Sequence, residues 1–282
     1  MSTYPTIEKY YDKTRFDYRY VWNSRNTHAL HFGYYDEIAT KHFDAVANMN
    51  RVLSELAHIQ AGERVLDAGC GVGGSCIWLT QQLGTDCVGV SLVESHIKDA
   101  VENVKKHNLS DKISFLKADF CHIPLPDDSF DVVWAIESQC HALDKADFYK
   151  EAYRILKKGG RLVVADYFRI KRPFDTEGRE ILLKNWLNRW AIEDLDTAAE
   201  HQHNAEKQGF TNFAIRNINP NVRRSLLNAY EHSEKWLRLA KILNKIGIVS
   251  SVQVGNVIGT ISQFKAWDAG LWYYGLVFCE KK

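Results

Sequence analysis

The sequence has little of what marks exported or membrane-spanning proteins. Only six of its 282 residues are cysteine, and no two of them form a C-x-x-C pair, so we expect reduced thiols that mostly fill the core. No segment approaches the roughly 20 apolar residues that cross a bilayer. Residues 1–12 also lack the basic start and apolar stretch of a signal peptide. These absences predict a cytoplasmic protein without a membrane span.

An excess of charge of one sign is missing as well. The 36 basic residues nearly balance the 35 acidic residues, and the formal net charge is +1. Because a nucleic-acid-binding protein usually carries a strongly basic face, we expect no nucleic-acid partner. A small and nearly uncharged molecule suits this composition better.

What the sequence does contain is enough apolar residues for a core. Hydrophobic residues make up 45% of the chain and charged residues 25%, which is typical of a globular protein with one full core. We predict three parts: an N-terminal helical cap at residues 1–61, an α/β core at 62–173, and the rest of the sheet with inserted lid helices at 174–282.

The order of the predicted elements indicates the fold class. Between residues 64 and 167 short β-rich runs alternate with helical stretches, which predicts a doubly wound, mostly parallel sheet with helices on both faces. Beyond Pro173, two mostly helical segments at 175–208 and 222–246 are separated by a predicted strand at 213–218. Helices inserted there lie near the carboxyl ends of the strands, where ligands bind. We therefore expect a lid, although the same helices could mediate contacts in a homo-oligomer.

A glycine-rich run, V-L-D-A-G-C-G-V-G-G at residues 65–74, follows the first predicted strand. Its first, second and fourth glycines fit the spacing G-x-G-x-x-G, which by itself admits a dinucleotide. Asp67 argues against one, because its carboxylate would repel the pyrophosphate that a dinucleotide places at the following helix. The end of the next strand, where a dinucleotide site has Asp or Glu for the ribose, carries Ser91 instead.

S-adenosylmethionine suits these residues better than a dinucleotide. It has no phosphate, and its methionine part carries an ammonium group and a sulfonium sulfur, for which Asp67 is a charge-assisted acceptor. Gly69, Gly71 and Gly73 would let the backbone approach the ligand closely. We therefore expect S-adenosylmethionine as the cofactor of the α/β core, with S-adenosylhomocysteine as its product.

Two later stretches supply further candidate residues. Asp119 and Phe120 follow the predicted strand at 113–117, where a carboxylate can accept from the adenine amino group and a ring can pack on the base. The polar turn at 125–131 leads into the next strand and delivers Glu137 to the ligand edge of the sheet.

Residues 65–167 together resemble a class I S-adenosylmethionine-dependent methyltransferase. The resemblance rests on the glycine-rich run, on A-D-F at 118–120 with L-P-D at 125–127, and on L-K-K-G-G-R-L at 156–162. It implies an enzyme that transfers a methyl group. It also implies a seven-stranded, mostly parallel sheet whose last strand, at 272–279, is antiparallel.

Other stretches are similar to one group in that family, the sterol, tocopherol and prenyl-diphosphate methyltransferases with the cyclopropane-fatty-acid synthases. W-A-I-E-S-Q-C-H at 134–141 is similar to a stretch of sterol C-methyltransferases, and G-L-W-Y-Y-G at 270–275 fits the tocopherol-like members. Y-Y-D at 10–12, Trp22 and H-F-G-Y-Y at 31–35 resemble the N-terminal lid of the group, whereas residues 16–22 keep only part of the sterol enzymes' aromatic signature. The resemblance implies carbon methylation of an isoprenoid- or sterol-like acceptor, which would be apolar or aromatic.

The resemblance also implies roles for single residues at the cofactor. Ser91, Leu92 and His96 stand where relatives surround the ribose. The remaining residues that it brings to the cofactor are Tyr11, His31 and Ile136.

Two residues are candidates for the base that carbon methylation requires. A proton must leave the cation that methylation of a double bond creates, and Glu137 or His141 is placed to accept it. Glu137 could instead cap the following helix or bind the amino group of the cofactor indirectly. His141 could equally be a structural histidine.

Other functions stay open on the sequence alone. An N- or O-methyltransferase of a specialised metabolite needs only positioning, with one base where the acceptor is a hydroxyl. A binding protein that keeps the cofactor pocket without catalysis belongs to a different class. No Cys or carboxylate cluster accompanies H-Q-H at residues 201–203 at ligand spacing, so we expect no metal ion and a solvated helix face there.

Overall fold

The computed structural model describes residues 4–16 and 28–282. Within these ranges the helices are α1 (Tyr4–Phe16), α2 (His42–Leu56), α3 (Gly74–Leu83), α4 (Glu94–Lys106), α5 (Lys145–Ile155), α6 (Glu177–Leu187), α7 (Ala198–Gln208), α8 (Asn219–Lys245) and α9 (Ser251–Asp268). The strands are β1 (Arg64–Ala68), β2 (Asp86–Ser91), β3 (Ile113–Lys117), β4 (Phe130–Ile136), β5 (Leu156–Arg169), β6 (Phe210–Asn217) and β7 (Trp272–Lys281). Two short 3₁₀ helices span Gln139–His141 and Asn188–Trp190.

The strands form one seven-stranded sheet in the order β3-β2-β1-β4-β5-β7-β6. Neighbours from β3 to β5 pair in parallel, and β7 runs antiparallel to both β5 and β6. The predicted fold class is therefore confirmed, including the antiparallel last strand. The sheet continues across residue 173, so the second and third predicted parts share it; the three-part division itself stays a prediction.

Both faces of the sheet are covered by apolar packing, as its parallel strands require. Alternate residues of each strand point to opposite faces. In β4, Val132, Trp134 and Ile136 join one apolar cluster, while Val133 and Ala135 join the other. This arrangement leaves the carboxyl edge of the strands as the place where polar side chains can gather.

The sequence pattern located the strands better than the helices after β5. Residues 113–117 match β3, and the predicted last strand lies within β7. The segment 175–208 is split, because α6 ends at Leu187 and α7 begins only at Ala198. Helix α9 was not predicted: it is apolar around its circumference and contains Gly255 and Gly259, so it lacks the one-sided periodicity that indicates a surface helix.

Helix α9 packs where the fold needs a small residue. It contacts α8, α6 and α1. A Cβ atom on Gly259 would stand 2.6 Å from Nε1 of Trp190, so the glycine allows the helix to approach the 3₁₀ turn before the α7 segment. No described helix is long and apolar enough to cross a membrane.

One prediction about a side chain was wrong, and one was confirmed. His201 is not on a solvated face: it is 2% exposed, lies against Phe168 and contacts the hydroxyl of Tyr149. Burial lowers the pKa of His201 to about 3, so it is a neutral core residue. All six cysteines are free and buried, as expected of reduced thiols in the core.

Candidate functional site

A cavity opens at the carboxyl edge of the sheet. The ends of β1, β2 and β4 form its floor, the glycine-rich run forms one side, and α1 with the segment 28–31 covers it. Twelve of the fourteen predicted site residues line this cavity: Tyr11, His31, Asp67, Gly69, Gly71, Ser91, Leu92, His96, Phe120, Ile136, Glu137 and His141. Their roles stay predictions, but the fold brings them together, and we refer to this space as the cofactor cavity.

Asp67 places a buried carboxylate on the wall of the cofactor cavity. The side chain sits at the end of β1 and is 3% exposed. Among the described residues, the only donor to its carboxylate is Sγ of Cys76, 3.4 Å from Oδ2, and a thiol is a weak donor. Burial raises the pKa of Asp67 to about 7. A buried carboxylate with so little hydrogen bonding on a cavity wall fits the ammonium group of S-adenosylmethionine.

The glycine-rich run follows Asp67 with a backbone that suits glycine. Gly69 has φ +96°, and a Cβ atom there would lie 2.2 Å from Cβ of Ser138. Gly71 has φ +50° and faces Leu30 across the cavity. Gly73 also has positive φ, but it does not line the cavity: its missing Cβ leaves room for the ring of Phe115. Its contribution is to packing, so its predicted role at the ligand is not supported by its position.

Of the residues predicted to bind the ribose and the adenine, four line the cofactor cavity and one does not. Ser91, Leu92, His96 and Phe120 line the cofactor cavity. Asp119 does not: its Oδ1 accepts from the backbone N–H of Cys121 at 2.9 Å, and its Oδ2 lies 3.1 Å from Nδ1 of His122. In this conformation its carboxylate caps its own turn, and binding of adenine by Asp119 would require it to turn inward.

A second, smaller cavity adjoins the cofactor cavity and shares Tyr11, Leu30, Glu137 and His141 with it. Most of the remaining wall is aromatic or apolar, from Tyr10, Phe32, Cys140, Tyr167, Trp190 and Ile192. We refer to it as the acceptor cavity. Its wall combines α1, the ends of β4 and β5, and the segment after α6.

Glu137 lies between the two cavities with both carboxylate oxygens engaged. Oε1 accepts from the backbone N–H of Phe32 at 2.6 Å and from the hydroxyl of Tyr274 at 3.0 Å, and Oε2 accepts from the hydroxyl of Tyr167. Burial raises the pKa of Glu137 to about 7, and the hydrogen bonds it accepts oppose that rise. Glu137 does not cap the following 3₁₀ helix. Its φ of +48° is unusual for a residue with a side chain, a strain typical of functional positions.

His141 ends the 3₁₀ helix that follows Glu137. Nδ1 lies 3.3 Å from the carbonyl oxygen of Ala191, and Nε2 lies 3.0 Å from the hydroxyl of Tyr11. Because a carbonyl only accepts, the proton belongs on Nδ1, which leaves Nε2 as the acceptor for Tyr11. Burial lowers the pKa of His141 to about 4, so the ring is neutral at physiological pH.

Helix α1 closes both cavities from the N-terminal side. Tyr11 contributes to both walls and packs edge-on against His96 and His141. The hydroxyl of Tyr10 donates to Oδ1 of Asn256 in α9 at 2.8 Å, and Oγ of Ser95 in α4 donates to Asp12 at 2.7 Å. The predicted aromatic stretch 16–22, with Trp22, lies outside the residues whose side chains the structure describes.

Sequence reasoning did not identify several residues of this site. Tyr167, Tyr274 and Phe32 hold Glu137, yet they come from β5, β7 and the segment before α2. All three lie in stretches that resemble known relatives, but no local pattern connects them with position 137. Among the described residues, no group of three or more His, Cys, Asp or Glu side chains is arranged to hold a metal ion.

The chain is similar to known proteins in sequence and in fold. The family model described as "Methyltransferase domain" matches residues 66–164. The chain is 38% identical over 144 residues to "Methyltransferase GfsG" of Streptomyces halstedii, which covers 50% of this chain and 51% of that protein. It is 35% identical over 160 residues to "Sterol 24-C-methyltransferase erg6" of Aspergillus fumigatus, covering 56% of this chain and 41% of that protein. The chain therefore matches about half of the length of these relatives, or less.

Among solved structures, the [4+2]-cyclase SpnF superposes with a TM-score of 0.78 at 19% identity, covering 98% of this chain and 94% of that chain. That likeness concerns the fold, which can carry more than one chemistry. The family match is more specific, because residues 66–164 contain Asp67, the glycines of the glycine-rich run and the ends of the strands that frame the cofactor cavity. Residues 66–164 therefore form a methyltransferase domain, and the chain has the fold of the class I S-adenosylmethionine-dependent methyltransferases.

Proposed function

We propose that this protein transfers a methyl group from S-adenosylmethionine to a carbon atom of an isoprenoid- or sterol-like molecule bound in the acceptor cavity. The Aspergillus relative is a sterol 24-C-methyltransferase by name, which supports a carbon acceptor. The aromatic and apolar wall of the acceptor cavity suits an apolar molecule.

The single observation that carries the proposal is the buried carboxylate of Glu137 on an otherwise aromatic and apolar wall. Methylation of a double bond leaves a positive charge on carbon, which must be shielded from water. A carboxylate stabilises such a cation in a low-dielectric site, and the faces of Tyr11, Phe32 and Trp190 would each add about 0.5–2 kcal/mol where a ring faces the charge. The site thus favours the charged product of the transfer.

Glu137 is also suited to remove the proton that completes the reaction. When bound, the cofactor supplies the electrophilic methyl group. With a pKa of about 7, Glu137 exists partly as carboxylate at neutral pH. A general base works best when its pKa lies near the pH at which the enzyme operates. The hydroxyls of Tyr167 and Tyr274 stay within hydrogen-bond distance of either form.

His141 offers a second route for the proton, through Tyr11. Oxygen of Tyr11 can accept a proton from the acceptor as its own proton passes to Nε2 of His141. The imidazole would then be cationic in a buried position, which its low pKa disfavours. Glu137 is therefore the base that we favour.

The neutral His141 favours one alternative, an O-methyltransferase. A hydroxyl acceptor would need only positioning and one base, and the Tyr11–His141 pair lies between both cavities. In that case no carbon-centred cation forms, and Glu137 would matter mainly for binding.

The proposal is tested by incubating the enzyme with methyl-labelled S-adenosylmethionine and a panel of sterols, prenyl diphosphates, tocopherol-like phenols and small amines. We expect label on carbon, and a loss of about 10²-fold or more in turnover for Glu137→Gln with cofactor affinity retained. His141→Gln is the matched variant for the alternative route.

Each outcome assigns the chemistry. Label on oxygen, lost in His141→Gln and kept in Glu137→Gln, would establish the alternative. Label only on amine nitrogen would refute carbon methylation. Cofactor binding without transfer to any class of acceptor would favour a binding protein.

A further inference from the structure

Five of the eleven large apolar side chains that are exposed in the described residues gather at one place, the tip of the α8–α9 hairpin. On the last three turns of α8, Trp236, Leu239, Ile242 and Ile246 follow at spacings of three or four residues, so they share one face of the helix. Ile242, Ile246 and Ile248 are 58%, 63% and 68% exposed. We call these five residues, Trp236, Leu239, Ile242, Ile246 and Ile248, the hairpin patch.

The hairpin patch is bordered by cations. Arg238, Lys241 and Lys245 occupy the neighbouring stripe of α8, given 100° between successive residues. From residue 235 to residue 267 the sequence contains five basic residues and no Asp or Glu. In the described ranges of the chain, no ion pair neutralises any of these three cations.

The tip that carries the patch is an ordered structure and not a frayed end. Helix α8 ends in a Schellman motif: the N–H of Ile248 donates to the carbonyl of Leu243, and Gly247, with φ +76°, donates to Asn244. Helix α9 then begins with a capping box between Ser250 and Gln253. The fold therefore holds large apolar side chains in solvent, which costs free energy unless something covers them.

From these observations we propose that the hairpin patch binds the surface of a membrane that contains anionic lipids. An apolar stripe with lysine and arginine beside it and a tryptophan at one end is the pattern of a helix that lies in a membrane interface. The cations match the negative charge of the lipid headgroups, and the isoleucines match the acyl boundary beneath them. Binding of this kind requires no membrane-spanning segment.

A second copy of the chain fits this surface less well. A two-fold symmetric contact places the same patch of each subunit against the other. The uncompensated cations beside the patch would then face each other across an apolar interface, where like charges repel strongly. An anionic surface removes this conflict.

The tip of the α8–α9 hairpin lies close to the acceptor cavity along helix α9. Asn256, which holds Tyr10 of the acceptor cavity, lies six residues after Ser250, or about 9 Å along α9. If the proposed function holds, an apolar acceptor would leave the lipid close to the cavity that receives it. Membrane binding itself does not depend on that function.

The test is cosedimentation of the full chain with vesicles, in the absence of cofactor and acceptor. We expect binding to vesicles of phosphatidylcholine with phosphatidylglycerol, weaker binding to phosphatidylcholine alone, and loss of binding at high salt. The double change Lys241→Glu with Lys245→Glu should weaken binding to anionic vesicles by about 30-fold or more, because it removes two cations and adds two anions. Ile246→Ser with Ile248→Ser should weaken binding to both kinds of vesicle.

Matched controls use exposed residues elsewhere, Lys150→Glu on α5 and Ile38→Ser before α2. Both control variants should bind vesicles like the unchanged protein.

No binding to anionic vesicles, or equal binding by the hairpin and control variants, would overturn the proposal. So would sedimentation velocity that detects a dimer which Ile246→Ser dissociates, because the occupant would then be a second copy. Binding to polyglutamate without binding to vesicles would assign the surface to an acidic protein instead. None of these results bears on methyl transfer, which is measured separately with dispersed acceptors.

Discussion

At the scale of single residues, burial determines which side chains can do chemistry. Asp67 and Glu137 are carboxylates at strand ends, and burial raises the pKa of each to about 7. His141 and His31 are buried histidines whose pKa falls to about 4 for the same reason. At neutral pH the site therefore contains neutral imidazoles and carboxyl groups that respond to whatever binds beside them.

Binding of S-adenosylhomocysteine should release a proton from Asp67. The ammonium group stabilises the carboxylate and lowers its pKa from about 7, so below that pH the bound protein holds fewer protons than the free protein, and affinity rises with pH. We expect about a tenfold gain in affinity per pH unit up to about pH 7 and a plateau above it.

Calorimetry in two buffers of different ionisation heat measures this release. Asp67→Asn should bind more weakly and without proton release, whereas Asp111→Asn, an exposed control, should behave like the unchanged protein. An unchanged proton count in Asp67→Asn would contradict the assignment.

The pH dependence of turnover distinguishes the two candidate bases. The profile is measured as kcat/KM for the acceptor at saturating cofactor, where the bound ammonium group keeps Asp67 ionised. If Glu137 accepts the proton, this kcat/KM rises with pH as the carboxyl of Glu137 ionises near pH 7. If His141 accepts it, the rate is nearly flat in that range, because the ring is already deprotonated above its pKa of about 4. Tyr167→Phe removes a hydrogen bond that stabilises the carboxylate, so it should move the midpoint of the rise to higher pH. A midpoint that stays unchanged in that variant would exclude Glu137 as its source.

At the scale of elements, the site depends on segments that are far apart in the chain. Asp67 and the glycine-rich run lie within ten residues of each other, and the sequence predicted their shared role. The hydrogen bonds to Glu137 come from Phe32, Tyr167 and Tyr274. Local periodicity carries no information about partners at that separation, so the sequence identified Glu137 without the residues that set its pKa.

Lys145 is the clearest case of one residue that joins elements. It begins α5, is 4% exposed, and donates to the carbonyls of Cys140 and Ala142, on either side of His141, and of Asp194 after α6. Lys145 thereby connects the loop after β4 with the segment after α6, whose Ala191 carbonyl accepts a hydrogen bond from His141.

Lys145→Met should leave these three carbonyls without their donor and lower the free energy of unfolding by about 3 kcal/mol or more. Lys150→Met, exposed on the same helix, should change it by less than about 0.5 kcal/mol. Urea unfolding compares the two variants, and equal stabilities would mean that Lys145 does not hold the loop.

At the scale of the whole molecule, the sheet brings the ends of its strands to one edge and the helices after β5 complete the walls. The order β3-β2-β1-β4-β5-β7-β6 places the cofactor cavity over the central strands. Helix α9, which the sequence did not reveal, supports both α1 and the 3₁₀ turn of Trp190. The acceptor cavity therefore exists only in the assembled fold.

Ligand-induced stabilisation tests the cofactor assignment on the whole protein. S-adenosylhomocysteine at about 100 times its Kd should stabilise the fold by about 2.7 kcal/mol, which raises Tm by about 5 °C or more for a chain of this length. NAD at the same concentration should leave Tm unchanged, since Asp67 disfavours a pyrophosphate. Thermal unfolding followed by fluorescence provides the comparison, and an equal shift with NAD would be the contrary result.

From the sequence alone we predicted the fold class and the antiparallel last strand, which the structure confirms, together with S-adenosylmethionine as cofactor and most of the residues that line the cofactor cavity. These features are local: a glycine-rich turn, a carboxylate at a strand end, and alternation of strands with helices each occupy a short stretch of chain. Which of these features come into contact depended on the tertiary structure. It placed Gly73 and Asp119 away from the cavity wall, buried His201, and surrounded Glu137 with two tyrosines, because side-chain contacts and desolvation depend on packing between segments that lie far apart in the chain.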